Sequence, residues 1–140
     1  MESLRINKTI IEALKPCEDR WRNYLRYHAD FDGTILEFLH LDRITEEDKV
    51  WVSVRVLPRE PVEIFAIDLA LRMTMHPCGV EWNIHYKVDD FLASAYAKDS
   101  AGFTHIWAIQ AAVSFAYGYS PGNAEKKAQV ASLIWIIKNL

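Results

Sequence analysis

Apolar positions recur at helical spacing along most of this chain, and proline and glycine cut the pattern into segments. Residues 9–15 read as a short helix stopped by Pro16. Over 17–28, Trp21, Tyr24, Leu25 and His28 fall at i, i+3, i+4 and i+7, which is one face of an amphipathic helix with arginines on the other side. The segment 62–75 is apolar nearly all round and reads as a buried helix, with Asp68 and Arg72 placed as an i, i+4 pair. His76-Pro77-Cys78-Gly79 breaks it. Further helices are expected at 89–98 and 103–117, and a closing one, capped by Asn123, at 123–140 with Ala128, Val130, Ala131, Ile134, Trp135 and Ile137 as its apolar residues.

Two helix starts are spelled out. Thr34-Ile35-Leu36-Glu37 is a capping box: the Thr34 hydroxyl can accept from the third helical N–H while Glu37 reaches back to the cap's own N–H. The helix it starts is expected over 35–41. Thr45-Glu46-Glu47-Asp48 repeats the signal with Asp as the last residue, so Thr45 is the second cap.

The segment after Thr45 supports two readings. Val50, Val52, Val54 and Val56 alternate with Trp51, Ser53 and Arg55, a period-2 strand pattern. Val50, Trp51, Val54 and Leu57 also share a helical face. The cap and the acidic first turn favour a helix over 46–57, with Pro58 ending it and Pro61 suiting the first turn of the next. The expected fold is therefore all-α, a single domain over 1–140 with about six or seven helices. Helices 62–75, 103–117 and 123–140 form its core and the 17–57 helices pack across it. If 50–57 were a strand, the class would become α+β with one short strand.

Composition adds bounds. With 140 residues, of which 51% are hydrophobic and 25% charged, the chain has enough apolar material to build a core without disulfides or metals. Cys17 and Cys78 are isolated thiols, each following a proline. They fit a reduced cytoplasmic protein, and whether they pair is open. The stretch from Phe103 to Tyr117 is too short and too polar for a membrane span. The net charge is −3, but residues 30–48 hold Asp30, Asp32, Glu37, Asp42, Glu46, Glu47 and Asp48 against Arg43, a local sum of −6. Such a block reads as solvated helix starts or as an acidic face for a basic partner. Dispersed bases and a pI near 5.9 argue against direct nucleic-acid binding.

The chemically loudest stretch is Asp30-Phe31-Asp32-Gly33-Thr34. Asp-x-Asp-Gly-Thr is the nucleophile motif of haloacid-dehalogenase-like phosphohydrolases. In that reading Asp30 is the nucleophile, Asp32 the general acid and base, and Asp89-Asp90 a later acidic pair beside magnesium. The motif belongs at the end of a buried parallel strand, yet Tyr24 to Ala29 reads as the end of a helix. A turn followed by a cap is the preferred reading. His76, Cys78, His85 and Asp89 lack the tight pairing of zinc ligands, so no metal or cofactor is expected. No P-loop, Gly-x-Ser-x-Gly or dinucleotide fingerprint occurs, and Cys17 as a nucleophile would need a neighbouring histidine.

The run Leu14-Lys15-Pro16-Cys17-Glu18-Asp19-Arg20-Trp21, then Asp30 to Thr34, then Glu47-Asp48-Lys49-Val50-Trp51-Val52, then Leu57-Pro58-Arg59 and Ile64 to Asp68, resembles small uncharacterised proteins of bacteriophages and mobile elements. The resemblance spans about residues 12–72. It departs from that pattern at 73–100, which lacks an alanine-rich repeat, and at Leu69, where a cysteine is expected. It implies a helical fold in a mobile-element setting and brings no catalytic residues. The leading expectation is thus a non-enzymatic factor that binds a host or phage protein, such as a defence-system component, through Asp42, Glu46, Glu47 and Asp48. The alternatives are a self-associating structural or immunity-type protein, which would be a homo-oligomer, and the phosphohydrolase.

Overall fold

Both spelled-out helix starts are used. A computed structural model describes residues 1–74 and 124–140. Within them the order is β1 (Arg5–Asn7), α1 (Lys8–Ala13), α2 (Glu18–His28), β2 (Asp32–Thr34), α3 (Ile35–Leu39), α4 (Glu46–Val56), α5 (Arg59–Thr74) and, after the undescribed stretch, α6 (Ala124–Asn139). The expected helices at 89–98 and 103–117, with Asn123, His76, Cys78, His85, Asp89 and Asp90, lie outside the described residues.

The described part is mainly helical, but the all-α expectation needs a correction. β1 and β2 form a two-stranded antiparallel sheet in the register Arg5↔Thr34, Ile6↔Gly33 and Asn7↔Asp32. Asp32-Gly33-Thr34 is therefore strand as well as cap, and not simply a turn. The pairing buries Ile6 completely. The Ile35 N–H donates to the Leu4 carbonyl at 2.8 Å, carrying the contact past the strand end. Asn7 in turn caps α1, accepting from the Ile10 N–H at 3.0 Å.

α4 is helical over the segment with alternating valines. Its cap, Thr45, accepts from the Asp48 N–H at 3.2 Å, and Glu46, Glu47 and Asp48 fill the first turn. Val50, Val52, Ser53 and Val54 are all buried, because α4 packs against α3 and α6 on different sides. Burial on several sides makes every other valine inward without any strand. The Ser53 hydroxyl is satisfied by donating to the Lys49 carbonyl at 2.7 Å.

α5 begins at Arg59, three residues earlier than expected, since Pro61 is tolerated inside the first turn. α3 stops at Leu39 instead of Leu41, its last turn closing with His40 as C-cap. α6 lays Gln129, Val130, Leu133, Ile136 and Ile137 against α3, α4 and α5, while Trp135 is 63% exposed. The core joins these to Ile11, Tyr24, Ile35, Phe38, Leu39, Val62 and Phe65. Each fully buried aliphatic or aromatic side chain contributes about 1.5–3 kcal/mol. No helix among the described residues is long and apolar enough to cross a membrane.

Candidate functional site

The amphipathic face of α2 does not close fully on the rest of the fold. Between α2 and α4 lies a cleft of about 280 Å³, floored by Ile11, Phe38 and Val52 and walled by Trp21, Tyr24, Ile44 and Trp51. Pro16, Cys17, Arg20, Asn23, Glu47 and Asp48 complete its lining. Trp21 and Tyr24 follow one another at i, i+3, and their rings stack with centroids 5.7 Å apart. The Arg55 guanidinium lies over the Trp51 ring, 4.0 Å from its centroid. Burial beside that ring lowers the Arg55 pKa from its usual value. The cleft continues into a polar depression lined by Arg43 and Thr45 as well as by Arg20, Asn23, Ile44 and Asp48.

Tyr24 is 5% exposed, and its hydroxyl finds no hydrogen-bond partner among the described residues. Burial raises its pKa above 10.0, with the nearby charge of Asp32 adding to the effect. Cys17 is an exposed free thiol at the N-cap of α2 and makes no side-chain cap.

Of the four expected contact residues, Glu47 and Asp48 line the cleft, and Asp42 and Glu46 lie outside its lining. Arg20 reaches Asp48 at 3.2 Å and Glu47 at 4.0 Å, and Lys126 of α6 pairs with the other Glu47 oxygen. Asp42 is 83% exposed and lies 3.7 Å from His28, whose Nε2 also meets the Asp42 carbonyl at 2.7 Å. Glu46 and Asp42 both act on Lys49, whose pKa is lowered by burial and partly restored by these two carboxylates. The Arg43 guanidinium lies over the Tyr27 ring, 5.4 Å from its centroid. Glu47 and Asp48 are thus paired with Arg20 and Lys126, bases that lie outside residues 30–48, while Asp42 and Glu46 act on Lys49. The −6 read along residues 30–48 is not a −6 surface. Local charge counting missed this because Arg20 and Lys126 arrive from other helices.

The capping residues are fully engaged. Thr34 Oγ1 accepts from the Glu37 N–H at 3.2 Å, and Glu37 Oε2 accepts from the Thr34 N–H at 2.9 Å. Asp32 stands in an antiparallel strand with its carboxylate 3.0 Å from Arg5, and Asp30 is exposed in the turn before it. This is not the buried parallel-strand end that a phosphohydrolase nucleophile occupies. Among the described residues no group of three or more His, Cys, Asp or Glu side chains is placed to hold a metal.

The sequence pattern of α2 pointed to its aromatic face but not to a cleft. A hydrophobic stripe shows which side faces inward and is silent about how closely the facing helix approaches. No protein-family model matches the chain, and comparison with curated proteins and with solved structures finds no significant similarity.

Proposed function

We propose that the chain is a non-enzymatic binding protein, of the phage or mobile-element kind that its front half resembles, which docks on a host protein and modulates it. The observation that carries this reading is the aromatic cleft between α2 and α4. A concave apolar patch with a few polar groups at its edge is the usual form of a recognition site. Tyr24 belongs to the core, and Trp21, Ile44 and Trp51 pack against it, which presets the patch and lowers the cost of ordering it on association.

The test is affinity capture from host lysate with the wild-type chain, the Cys17→Trp variant and the Asp42→Lys/Glu46→Lys double variant. One protein retained in stoichiometric amount by wild type and lost on Cys17→Trp, with unchanged far-UV circular dichroism, supports the reading. Equal retention by wild type and Cys17→Trp removes the cleft from it. Loss only in the double variant returns recognition to the acidic residues Asp42 and Glu46.

Self-association is a second reading, supported by the 63% exposure of Trp135 and the 58% exposure of Leu140. Light scattering across micromolar concentrations tests it, and a constant monomer mass argues against it.

A further inference from the structure

The charge balance at the rim restricts what the cleft can accept. We infer that the α2–α4 cleft receives one uncharged aromatic side chain from the partner protein, and not the basic group that the acidic sequence block suggests. This rests on the protein-binding reading above.

Size comes first. A cavity of about 280 Å³ falls at or below the lower edge of pockets that enclose drug-sized molecules, roughly 300–1,000 Å³, and suits a single large side chain. Lining chemistry comes second. Trp21, Tyr24, Phe38 and Trp51 offer ring faces and edges, against which another ring packs in offset or edge-to-face geometry.

Charge decides between an aromatic and a cationic anchor. The two carboxylates in the lining are already taken, Asp48 by Arg20 at 3.2 Å and Glu47 by Arg20 and Lys126. An entering Lys or Arg would find no free carboxylate: to gain one it would have to displace Arg20 and leave that guanidinium without its own. An entering Asp or Glu would meet Glu47 and Asp48 and compete with them for Arg20. An uncharged ring disturbs none of these pairs. Desolvating a charge without a free partner is costly, whereas burying a ring is favourable by area alone.

The experiment uses capped amino acids as probes on the full chain: N-acetyl-tryptophanamide, N-acetyl-leucinamide and N-acetyl-lysinamide, each followed by saturation-transfer and chemical-shift NMR. N-acetyl-tryptophanamide is expected to bind in the millimolar range or tighter, at least fivefold more tightly than the leucine or lysine probe. Cys17→Trp places a ring at the mouth from an exposed position that makes no cap, and it should weaken that binding at least fivefold. Preference for the lysine probe overturns the inference, as does tryptophan binding unaffected by Cys17→Trp. If wild type self-associates and Cys17→Trp abolishes it, the occupant is a second copy and the inference is overturned. The two readings fail separately. A captured host protein with no tryptophan-probe binding leaves the proposed function standing and ends this inference. Probe binding blocked by Cys17→Trp with no captured protein ends the proposed function.

Discussion

Replacing Gly33 by alanine sets the capping box of α3 against the strand before it. The backbone there is ordinary, so conformational strain is not at issue. The problem is space: a Cβ on Gly33 would overlap Glu37 Oε2 and sit 2.8 Å from the Phe31 Cζ. Glu37 is held there by its bond to the Thr34 N–H at 2.9 Å. To admit the methyl group, the Glu37 side chain must swing out, which leaves one half of the capping box unmade at a loss of about 0.5–1.5 kcal/mol. Phe31, packed at a tilt 6.4 Å from Phe38, must also shift, for about another 1 kcal/mol of overpacking. Lower entropy of the unfolded chain returns about 0.4–1 kcal/mol. The net expectation is a destabilisation of about 0.5–2 kcal/mol, measured by urea unfolding followed by circular dichroism. Glu37→Ala alone removes the same half of the box. In a double-mutant cycle the two changes should therefore fall short of additivity by about 0.5–1 kcal/mol. Additivity within about 0.3 kcal/mol would refute the reasoning, because Glu37 would then not be what the methyl group displaces.

Three other perturbations follow from described features. Tyr24→Phe removes a buried hydroxyl without a partner and should stabilise by up to about 1 kcal/mol in urea unfolding. Because the Tyr24 pKa is raised in the fold, native Tyr24 holds its proton where the unfolded chain loses it, so stability falls as pH rises above 10.0; Tyr24→Phe should flatten that fall. Lys49 has the opposite sign: its pKa is lowered, so stability rises with pH between its folded value and 10.5, and Lys49→Met, compared in a Tyr24→Phe background, should abolish the rise in thermal midpoint. Lys15 follows α1 with φ 56°, a left-handed position that favours glycine, and Lys15→Gly should stabilise by about 0.5–1 kcal/mol; a loss of stability would show that the Lys15 side chain contributes more than its backbone costs.

The helix starts were legible because their signals are local. Thr34 and Glu37, or Thr45 and its acidic first turn, lie within four residues, and no distant group can replace them. That locality settled α4 as a helix against the alternation of Val50, Val52 and Val54. What stayed hidden is what distant segments bring. Arg5-Ile6-Asn7 is too short to show a period, and its partner is β2, across two helices. The pairing of Glu47 and Asp48 was hidden for the same reason: Arg20 and Lys126 sit far along the chain from these carboxylates. The cleft itself is a gap between α2 and α4, and spacing along one helix carries no information about a gap.

Thr34 belongs at once to β2 and to the cap of α3, and that double membership has a kinetic side. The cap half assembles from neighbours, on the timescale of a single helical turn. The strand half waits until the chain between Asn7 and Asp32 has closed into a loop, an event whose entropy must be spent before any contact rewards it. Perturbations of the cap and of the pairing should therefore register differently. Loss of the Thr34 hydroxyl slows folding if α3 is part of the nucleus, whereas trimming Ile6 leaves the folding rate nearly untouched and speeds unfolding. One residue thus joins a contact made between near neighbours to one that requires a long loop to close.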